Sequence, residues 1–274
     1  MNQTGEVFGI YINQSKDPEC KISRYISNIL SRYPIKYRFV NSLEEPLDAL
    51  SLLFVFGGDG TILSAARRVA GTSLPILGIN IGNLGFLSCT DLNGFESVIG
   101  DLIKGKGCVE KRMVLQAQIS SNPSFSELAL NEFCILRSEH AKMVHITVYV
   151  NQDMVGNYDA DGLIISTPTG STAYSLSAGG PIVYTNANCI LITPMCAHSL
   201  TARPIVVNGD DEIHVTSNYG PVTLASDWQS QFTLTEQDIL CIKKADVYTN
   251  FLNLGTYHLF DRMREKFLYN DRLK

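Results

Sequence analysis

The sequence has 274 residues, of which 45% are hydrophobic and 18% are charged, and its net charge is −5. This composition is typical of a globular protein with a sizeable core, in one large domain or two modest ones. The mild negative charge argues against broad electrostatic binding to nucleic acid or to an anionic membrane. No apolar run approaches the length of a membrane-spanning helix, and the first residues lack the features of a signal peptide. We therefore expect a cytoplasmic protein without nucleic-acid or membrane partners.

Over the first hundred or so residues, strand patterns alternate with helix patterns. Short apolar or β-branched runs predict strands, and the continuous apolar run Leu52–Phe56 predicts a strand buried on both faces. The predicted strands are Val7–Ile12, Tyr37–Val40, Leu52–Phe56 and Ile76–Asn80, and the predicted helices are Ile22–Leu30, Thr61–Val69 and Phe95–Ile103. This alternation predicts an α/β domain over residues 1–106, with a parallel sheet and helices on both of its faces.

After Gly105–Gly107 the pattern changes to strands that are separated by turn residues. The strand candidates are Val114–Ser120, Leu128–Arg137, Val144–Val150, Leu163–Ser166, Ile190–Thr193, Glu212–Thr216, Val222–Ala225 and Ile239–Lys243. They predict a β-rich C-terminal domain over residues 107–250.

The tail, residues 251–274, is predicted to form a closing C-terminal helix that packs back on the α/β domain. Its predicted apolar face carries Leu259, Phe260, Met263 and Phe267, and its predicted polar face carries Arg262, Glu265 and Lys266.

The first stretch that carries chemistry is Gly57-Gly58-Asp59-Gly60-Thr61, at a predicted strand-to-helix junction. Ligands of open α/β sheets bind at the carboxyl ends of the strands, where glycines let backbone N–H groups approach a phosphate at a helix N-terminus. A carboxylate there repels phosphate, so Asp59 is expected to act on a metal or a proton. The structural alternative makes Asp59 the N-cap of the helix and the glycines a tight turn.

The second stretch runs from Asp161 to Pro181 and combines an apolar strand with closely spaced hydroxyl and small residues. Such residues suit a ribose or phosphate pocket, and Tyr174 offers an aromatic face to a base. The alternative is a loop with solvated hydroxyls. The third stretch is Asn131-Glu132 inside the strand candidate 128–137, where two adjacent polar side chains point to opposite faces. They either bind a ligand ribose or lie at a strand end or bulge.

Other patterns are excluded by their spacing. The run Gly100–Gly107 lacks the Ser or Thr of a phosphate-binding P-loop, and no Gly-x-Gly-x-x-Gly is present. The five histidines and seven cysteines are scattered without metal-ligand spacing, so reduced thiols and no direct protein ligand to a metal are expected.

Together these stretches resemble the NAD kinase family. The Gly57–Thr61 motif is shared with diacylglycerol-type lipid kinases, but Asp161–Pro181 is far more selective. The segments Gly78–Leu87, with its second glycine-rich loop, Asn131-Glu132, and Pro194–Ile205 are also similar to the family's motifs.

The resemblance implies a phosphotransferase that moves the γ-phosphoryl group of ATP to the 2′-hydroxyl of the adenosine ribose of NAD. Asp59 would be the general base, and Mg²⁺ would be held through the donor phosphates. Gly57, Gly58, Gly60 and Thr61 would bind the ATP phosphates. The residues implied for NAD are Gly60, Phe86, Asn131, Glu132, Asp161, Thr172, Ala173, Tyr174 and Ser177. By the same resemblance, Phe86 of this sequence would lie near the adenine, Asn131 and Glu132 at the nicotinamide ribose, and Asp161 at the carboxamide.

Asp159, Asp227 and Trp228 are further candidates for the substrate site. Asp159 stands where many relatives have Arg or Lys, and Trp228 stands where a small or polar residue is common, so Trp228 either stacks on a base or packs in a core or subunit interface. The resemblance also implies a homodimer or homotetramer. The alternatives are a lipid kinase and a non-catalytic NAD sensor.

Overall fold

The structure is a computed structural model that describes residues 6–83, 85–138, 143–199, 201–255 and 259–268. The chain forms two compact units. The first consists of residues 1–111 together with 249–274, and the second consists of residues 112–248. No helix among these described residues is long and apolar enough to cross a membrane.

The first unit is built on a parallel sheet. Its strands are β1 (Val7–Ile12), β2 (Lys36–Val40), β3 (Leu52–Gly57), β4 (Ile76–Asn80) and β5 (Ser88–Asp91). Its first three helices are α1 (Lys21–Leu30), α2 (Asp59–Arg68) and α3 (Phe95–Ile103). The strands are ordered β4-β3-β1-β2, β5 pairs with β4, and every pairing is parallel.

Helices cover both faces of this sheet. On one face α1 and α3 join an apolar cluster in which the Phe95 ring meets Phe54 and Phe56 edge-on, with centroids 5.4 and 5.1 Å apart. On the other face Ile62 of α2 lies so close to Gly78 that a Cβ at Gly78 would be 2.6 Å from its side chain. All six residues of β3 are buried as a result, as the continuous apolar run predicts.

The order of the strands places a topological switch point between β1 and β3. From β1 the chain moves to β2 on one side and then returns to β3 on the other, and ligands of open α/β sheets bind at such points. Two turns meet there. The Asn13 N–H donates to the Phe56 carbonyl at 3.1 Å, and the Asn13 side-chain amide donates to the Thr61 hydroxyl at 3.1 Å.

The second unit consists mainly of antiparallel strands. After β6 (Cys108–Ile119), which begins in the first unit, they are β7 (Asn122–Ala129), β8 (Glu132–Arg137), β9 (Val144–Val150), β10 (Asp153–Ala160), β11 (Gly162–Ser166), β12 (Cys189–Met195), β13 (Ile205–Asn208), β14 (Ile213–Ser217), β15 (Val222–Ser226), β16 (Ser230–Leu234) and β17 (Ile239–Asn253), which ends in the first unit. A 3₁₀ turn, Gly170–Thr172, leads into the short helix α4 (Tyr174–Ser177).

Two layers enclose the core of this unit. One is the sheet β13-β12-β11-β8-β15-β16, and the other has the order β10-β9-β14-β17. Alternate apolar residues from both layers, such as Ile135 and Leu163 from the first and Ile146 and Val215 from the second, form one buried cluster.

The tail forms α5 (Leu259–Met263), which continues as a wider π-type turn over Arg264–Leu268. The fold class predicted from the sequence is therefore confirmed. Its assignment of faces to the tail is wrong, because Phe260 is 57% exposed whereas Arg262 is 4% exposed.

Candidate active site

The glycine turn in the first unit joins β3 to α2 at the switch point. Gly57 is needed because a Cβ there would be 2.4 Å from the Thr61 side chain. At Gly58 and Gly60 a Cβ would meet nothing within 4 Å, so open space lies above the turn. This space adjoins the N-terminus of a ten-residue helix, whose first N–H groups and dipole favour an anion.

The carboxylate of Asp59 lies at this turn and is held by backbone N–H groups. Its Oδ2 accepts from Phe86 N–H at 2.7 Å, and its Oδ1 accepts from Leu87 N–H at 3.1 Å. The N-cap of α2 is Gly58, so the alternative of Asp59 as N-cap is wrong. A Cβ at Gly85 would come within 1.8 Å of Asp59 Oδ1, which explains why this loop needs glycine.

In the second unit the Asn131-Glu132 pair lies at the start of β8 rather than inside a strand. The predicted strand Leu128–Arg137 is broken there, because the N–H groups of Leu130, Asn131 and Glu132 donate to the Asp227 carboxylate at 2.9–3.0 Å instead of to a neighbouring strand. Asp227 is 4% exposed and in turn donates its own N–H to the Glu132 carbonyl. Asp227 therefore fixes the backbone of the pair.

The turn that supplies Asp227 has an unusual backbone. Asp227 and Trp228 have φ values of 48° and 58°, a region that L side chains rarely adopt. Trp228 is 47% exposed, and its ring meets the Tyr174 ring edge-on with centroids 5.4 Å apart. The structure thus brings Asp227 and Trp228 together with Tyr174 and Glu132 in one cluster. Glu132 and Asp227 are 95 positions apart in the sequence.

The Asp161–Pro181 run packs directly on the same pair. A Cβ at Gly170 would be 2.1 Å from the Asn131 carbonyl oxygen, and the Thr167 hydroxyl donates to the Leu130 carbonyl at 2.6 Å. Most hydroxyls of the run are buried, which makes the solvated-loop alternative wrong, and several bond within the protein. Ser171 donates to Pro168, and Ser175 pairs with Thr193.

Four buried oxygens in this region make no hydrogen bond to any part of the chain that the structure describes. They are Asn131 Oδ1, Glu132 Oε2, Ser166 Oγ and Thr169 Oγ1. Because an unpaired buried polar atom costs free energy, such a group of atoms indicates a site that a polar ligand or water completes. The sequence does not distinguish Ser166 and Thr169 from the other hydroxyl residues of the Asp161–Pro181 run, and only their unpaired oxygens mark them as candidates.

Burial also changes the acidity of this cluster. It raises the pKa of Glu132 from 4.5 to about 8, with a further increase from the Asp227 carboxylate and a smaller opposing effect from the Tyr174 N–H. Burial raises the pKa of the Tyr174 phenol as well. At neutral pH Glu132 is therefore mostly a neutral acid that can donate a hydrogen bond as well as accept one.

The remaining predicted residues occupy different places in the second unit. Asp161 is half-exposed and lies 3.5 Å from Arg137 Nε. Thr172 donates to the Thr169 carbonyl at 3.2 Å, Ala173 joins the 3₁₀ turn to α4, and Ser177 is exposed at the end of α4. Asp159, by contrast, bonds His145 Nδ1 at 2.6 Å and accepts His198 N–H through its carbonyl.

A possible set of metal ligands is also present in the second unit, where one atom each of Glu212, His214 and Cys241 lie within 4.8 Å of one another. Glu212 is already bonded to Lys243 at 2.9 Å, and burial raises the pKa of the Cys241 thiol. Because a metal would need the Cys241 thiolate and the oxygens of Glu212, we assign no metal site to it.

The first unit thus carries a glycine turn with a fixed carboxylate at a helix N-terminus, and the second carries a group of unpaired buried oxygens. Features of these two kinds are suited to a protein that handles nucleotides. The family profile described as ATP-NAD kinase N-terminal domain matches residues 15–107, and the ATP-NAD kinase C-terminal domain matches residues 130–254. The chain belongs to the NAD kinase family. Its activity is the ATP-dependent phosphorylation of NAD, and the lipid kinase alternative is not supported.

Similar proteins extend over most of the chain. An NAD kinase of Thermoanaerobacter sp. (strain X514) is 43% identical over 218 residues, which cover 78% of this chain and 77% of that protein. An NAD kinase of Protochlamydia amoebophila is 35% identical and covers 98% of this chain and 100% of its own length. Among solved structures, an Archaeoglobus fulgidus NAD kinase in complex with ATP matches with a TM-score of 0.79 and 26% identity, over 94% of this chain and 98% of that one.

Proposed function

We propose that this chain transfers the γ-phosphoryl group of ATP to the 2′-hydroxyl of the adenosine ribose of NAD, with Asp59 as the general base. The 2′-oxygen attacks the γ-phosphorus, the bond from that phosphorus to the bridging oxygen breaks, and ADP leaves. The hydroxyl proton passes to the Asp59 carboxylate. A positioned base is valuable here because a secondary hydroxyl is a poor nucleophile.

The observation that carries this proposal is the way Asp59 is held. Two backbone N–H groups, from Phe86 and Leu87, fix the plane of its carboxylate beside the glycine turn. Each carboxylate oxygen has a second lone pair, so both can still accept a proton from a substrate.

The turn itself suits the donor phosphates. Gly58, Gly60 and the N-terminus of α2 offer space and N–H groups, with Gly57 and Thr61 shaping the turn. One carboxylate already bonded to two N–H groups is not the ligand set of a dedicated magnesium site, so Mg²⁺ would be held mainly by the donor phosphates. When bound it would neutralise the charge that develops on those phosphates.

The second unit is proposed to bind NAD. The unpaired oxygens of Asn131 and Glu132 suit the hydroxyls of the nicotinamide ribose, and neutral Glu132 can donate to such a hydroxyl. Asp161 would contact the carboxamide. Tyr174, whose ring packs against the Trp228 ring, would present the face of its own ring to the ligand. Thr172, Ala173 and Ser177 would line this pocket, Asp159 would border it, and Phe86 of the first unit would lie near the adenine.

Family resemblance further supports a cytoplasmic homodimer or homotetramer. Sedimentation velocity on the purified protein would distinguish either assembly from a monomer.

The test of the base role is Asp59→Asn, which keeps the shape of the side chain but cannot accept the proton. We expect kcat for NADP formation to fall by about 10²–10⁴-fold, while NAD binding measured by calorimetry changes little. Asp48→Asn is the matched control, because Asp48 is an exposed carboxylate of the same unit.

Two results would contradict the proposal. Unchanged turnover in Asp59→Asn would remove Asp59 from the base role. If the unaltered protein bound NAD but formed no NADP with ATP and Mg²⁺, the sensor alternative would stand instead.

A further inference from the structure

A buried arginine of the C-terminal helix is bonded to the loop that holds Asp59. Arg262 is 4% exposed, although the sequence pattern places it on the polar face of the tail. Its Nη1 donates to the carbonyl of Gly85 and to the Ser88 hydroxyl, and its Nη2 donates to the carbonyl of Ser88. The guanidinium fork therefore spans both ends of the segment Gly85–Ser88.

The middle of the same segment faces Asp59. The N–H groups of Phe86 and Leu87 donate to the two carboxylate oxygens, so the position of the segment determines the orientation of the carboxylate. The fit is close, because a Cβ at Gly85 would come within 1.8 Å of Asp59. A small shift of the segment would thus move both hydrogen bonds at once.

A second residue of the tail contacts a side chain of the same segment. Lys266 Nζ lies 4.5 Å from the centroid of the Phe86 ring, a distance at which the ammonium is attracted to the ring face. Arg262 holds the backbone of the segment and Lys266 contacts its one aromatic side chain, so two side chains of the tail hold the same four residues.

We propose that Arg262 is a positioning residue for the reaction, because it fixes the segment Gly85–Ser88, which in turn orients the Asp59 carboxylate. This inference rests on the proposed role of Asp59 as general base. It assigns to the C-terminal helix a part in turnover, through the orientation of a catalytic group rather than through contact with substrate.

The first measurement compares Arg262→Ala and Arg262→Lys with Arg264→Ala, which removes an exposed arginine of the same tail that pairs with Asp261. We expect Arg262→Ala to lower kcat by about 10²-fold, the cost of misplacing a catalytic group by roughly 1 Å, with little change in KM for NAD or ATP. Arg262→Lys should recover part of this loss, since an ammonium can bond one carbonyl but lacks the planar fork. Arg264→Ala should keep the kcat of the unaltered protein.

The second measurement is amide hydrogen exchange, which needs no chemistry. The amide hydrogens of Phe86 and Leu87 should exchange faster in Arg262→Ala than in Arg264→Ala. The exchange rates of the amides of α3, in the same unit, should be the same in both variants. Faster exchange in α3 as well would mean general unfolding of the unit. In that case Arg262→Lys is compared with the unaltered protein. If the amides of Phe86 and Leu87 exchanged at the same rate in both proteins, and kcat were also the same, the proposal would be overturned.

The third measurement separates this proposal from the role of Asp59. In an Asp59→Asn background, adding Arg262→Ala should cause no further loss of kcat, because the group that Arg262 orients is already inactive. A further 10²-fold loss would show that Arg262 acts by another route and would overturn the positioning role. Failure of the base role would appear differently, as normal turnover in Asp59→Asn alone.

Discussion

Glu132→Gln should remove a pH dependence of stability that we expect of the unaltered protein. Glu132 is 2% exposed, and burial, together with the Asp227 carboxylate, raises its pKa from 4.5 to about 8. A carboxyl whose pKa is raised by folding contributes stability that is fully present below the unfolded pKa, here 4.5. That stability is lost as the pH rises through the folded value, because the unfolded chain then releases its proton more readily than the folded one.

The size of the effect follows from the two pKa values. Between about pH 6 and pH 8 the unfolded carboxyl is already ionised, whereas the folded one remains protonated until the upper end of this interval. Since one unit of pKa corresponds to about 1.36 kcal/mol, the free energy of unfolding should fall by roughly 2 kcal/mol over the interval. Gln carries no titrating group and can still accept from the Tyr174 N–H, so this part of the pH dependence should be absent from Glu132→Gln.

Denaturant unfolding at both pH values, followed by tryptophan fluorescence, measures this difference. Trp228 is the only tryptophan, and it lies in the turn beside Asp227, so its signal reports on the second unit. Contributions from other titrating groups are common to both proteins and cancel when the two pH dependences are subtracted. If the two proteins lost equal stability between the two pH values, Glu132 would be ionised in the folded state and the reasoning would be refuted.

Two further substitutions test the contacts around the carboxylates. Gly85→Ala should lower kcat about 10²-fold, because the added Cβ would lie 1.8 Å from Asp59 Oδ1. Gly100→Ala, at a helix position where a Cβ meets nothing within 4 Å, should leave kcat unchanged. Equal steady-state rates for the two variants would contradict the close fit at Gly85. Asp227→Asn replaces one acceptor oxygen by an NH₂ group that faces backbone donors, and it should cost about 1–3 kcal/mol of stability per unsatisfied donor. Thermal unfolding measures that loss, and a melting temperature equal to that of the unaltered protein would show that the N–H contacts to the replaced oxygen contribute nothing.

Strong apolar patterns were sufficient to predict much of the fold. Val7–Ile12, Ile76–Asn80, Val144–Val150 and the helix Phe95–Ile103 have the bounds that the sequence predicts. In each case a layer covers the element, so burial leaves a regular apolar pattern in the sequence.

The strands that the sequence did not predict are those without such a pattern. Asn122–Ala129, which the candidate Leu128–Arg137 overlaps only at its end, and Asp153–Ala160 carry mainly exposed or half-exposed residues. Asp153–Ala160 also contains a glycine and a register shift, and Ser88–Asp91 has only four residues. Ile205–Asn208 and Ser230–Leu234 lie at the two edges of the six-stranded sheet, and each exposes alternate residues. Edge strands need little apolar surface, so periodicity does not reveal them.

The candidate site was predictable only in part, for a related reason. Residue types and spacing indicate where polar chemistry lies, as in Gly57–Thr61 and Asn131-Glu132, but not which partner a polar group finds. The Asp227 oxygens bond the backbone of residues 130–132, and Arg262 bonds carbonyls at Gly85 and Ser88. Helical periodicity counts arginine as a surface residue, and only the tertiary fold brings these carbonyls within its reach.

The first unit is assembled from two segments of the chain, and this has a consequence during synthesis. Arg262 and its partner Gly85 are separated by 177 positions, with the whole second unit between them. Because a ribosome releases the chain from its N-terminus onward, the segment Gly85–Ser88 emerges long before the arginine that bonds it. A nascent chain that has completed both glycine loops would still lack Arg262, so full activity is expected to arise only after this arginine has been synthesised and has bonded Gly85 and Ser88.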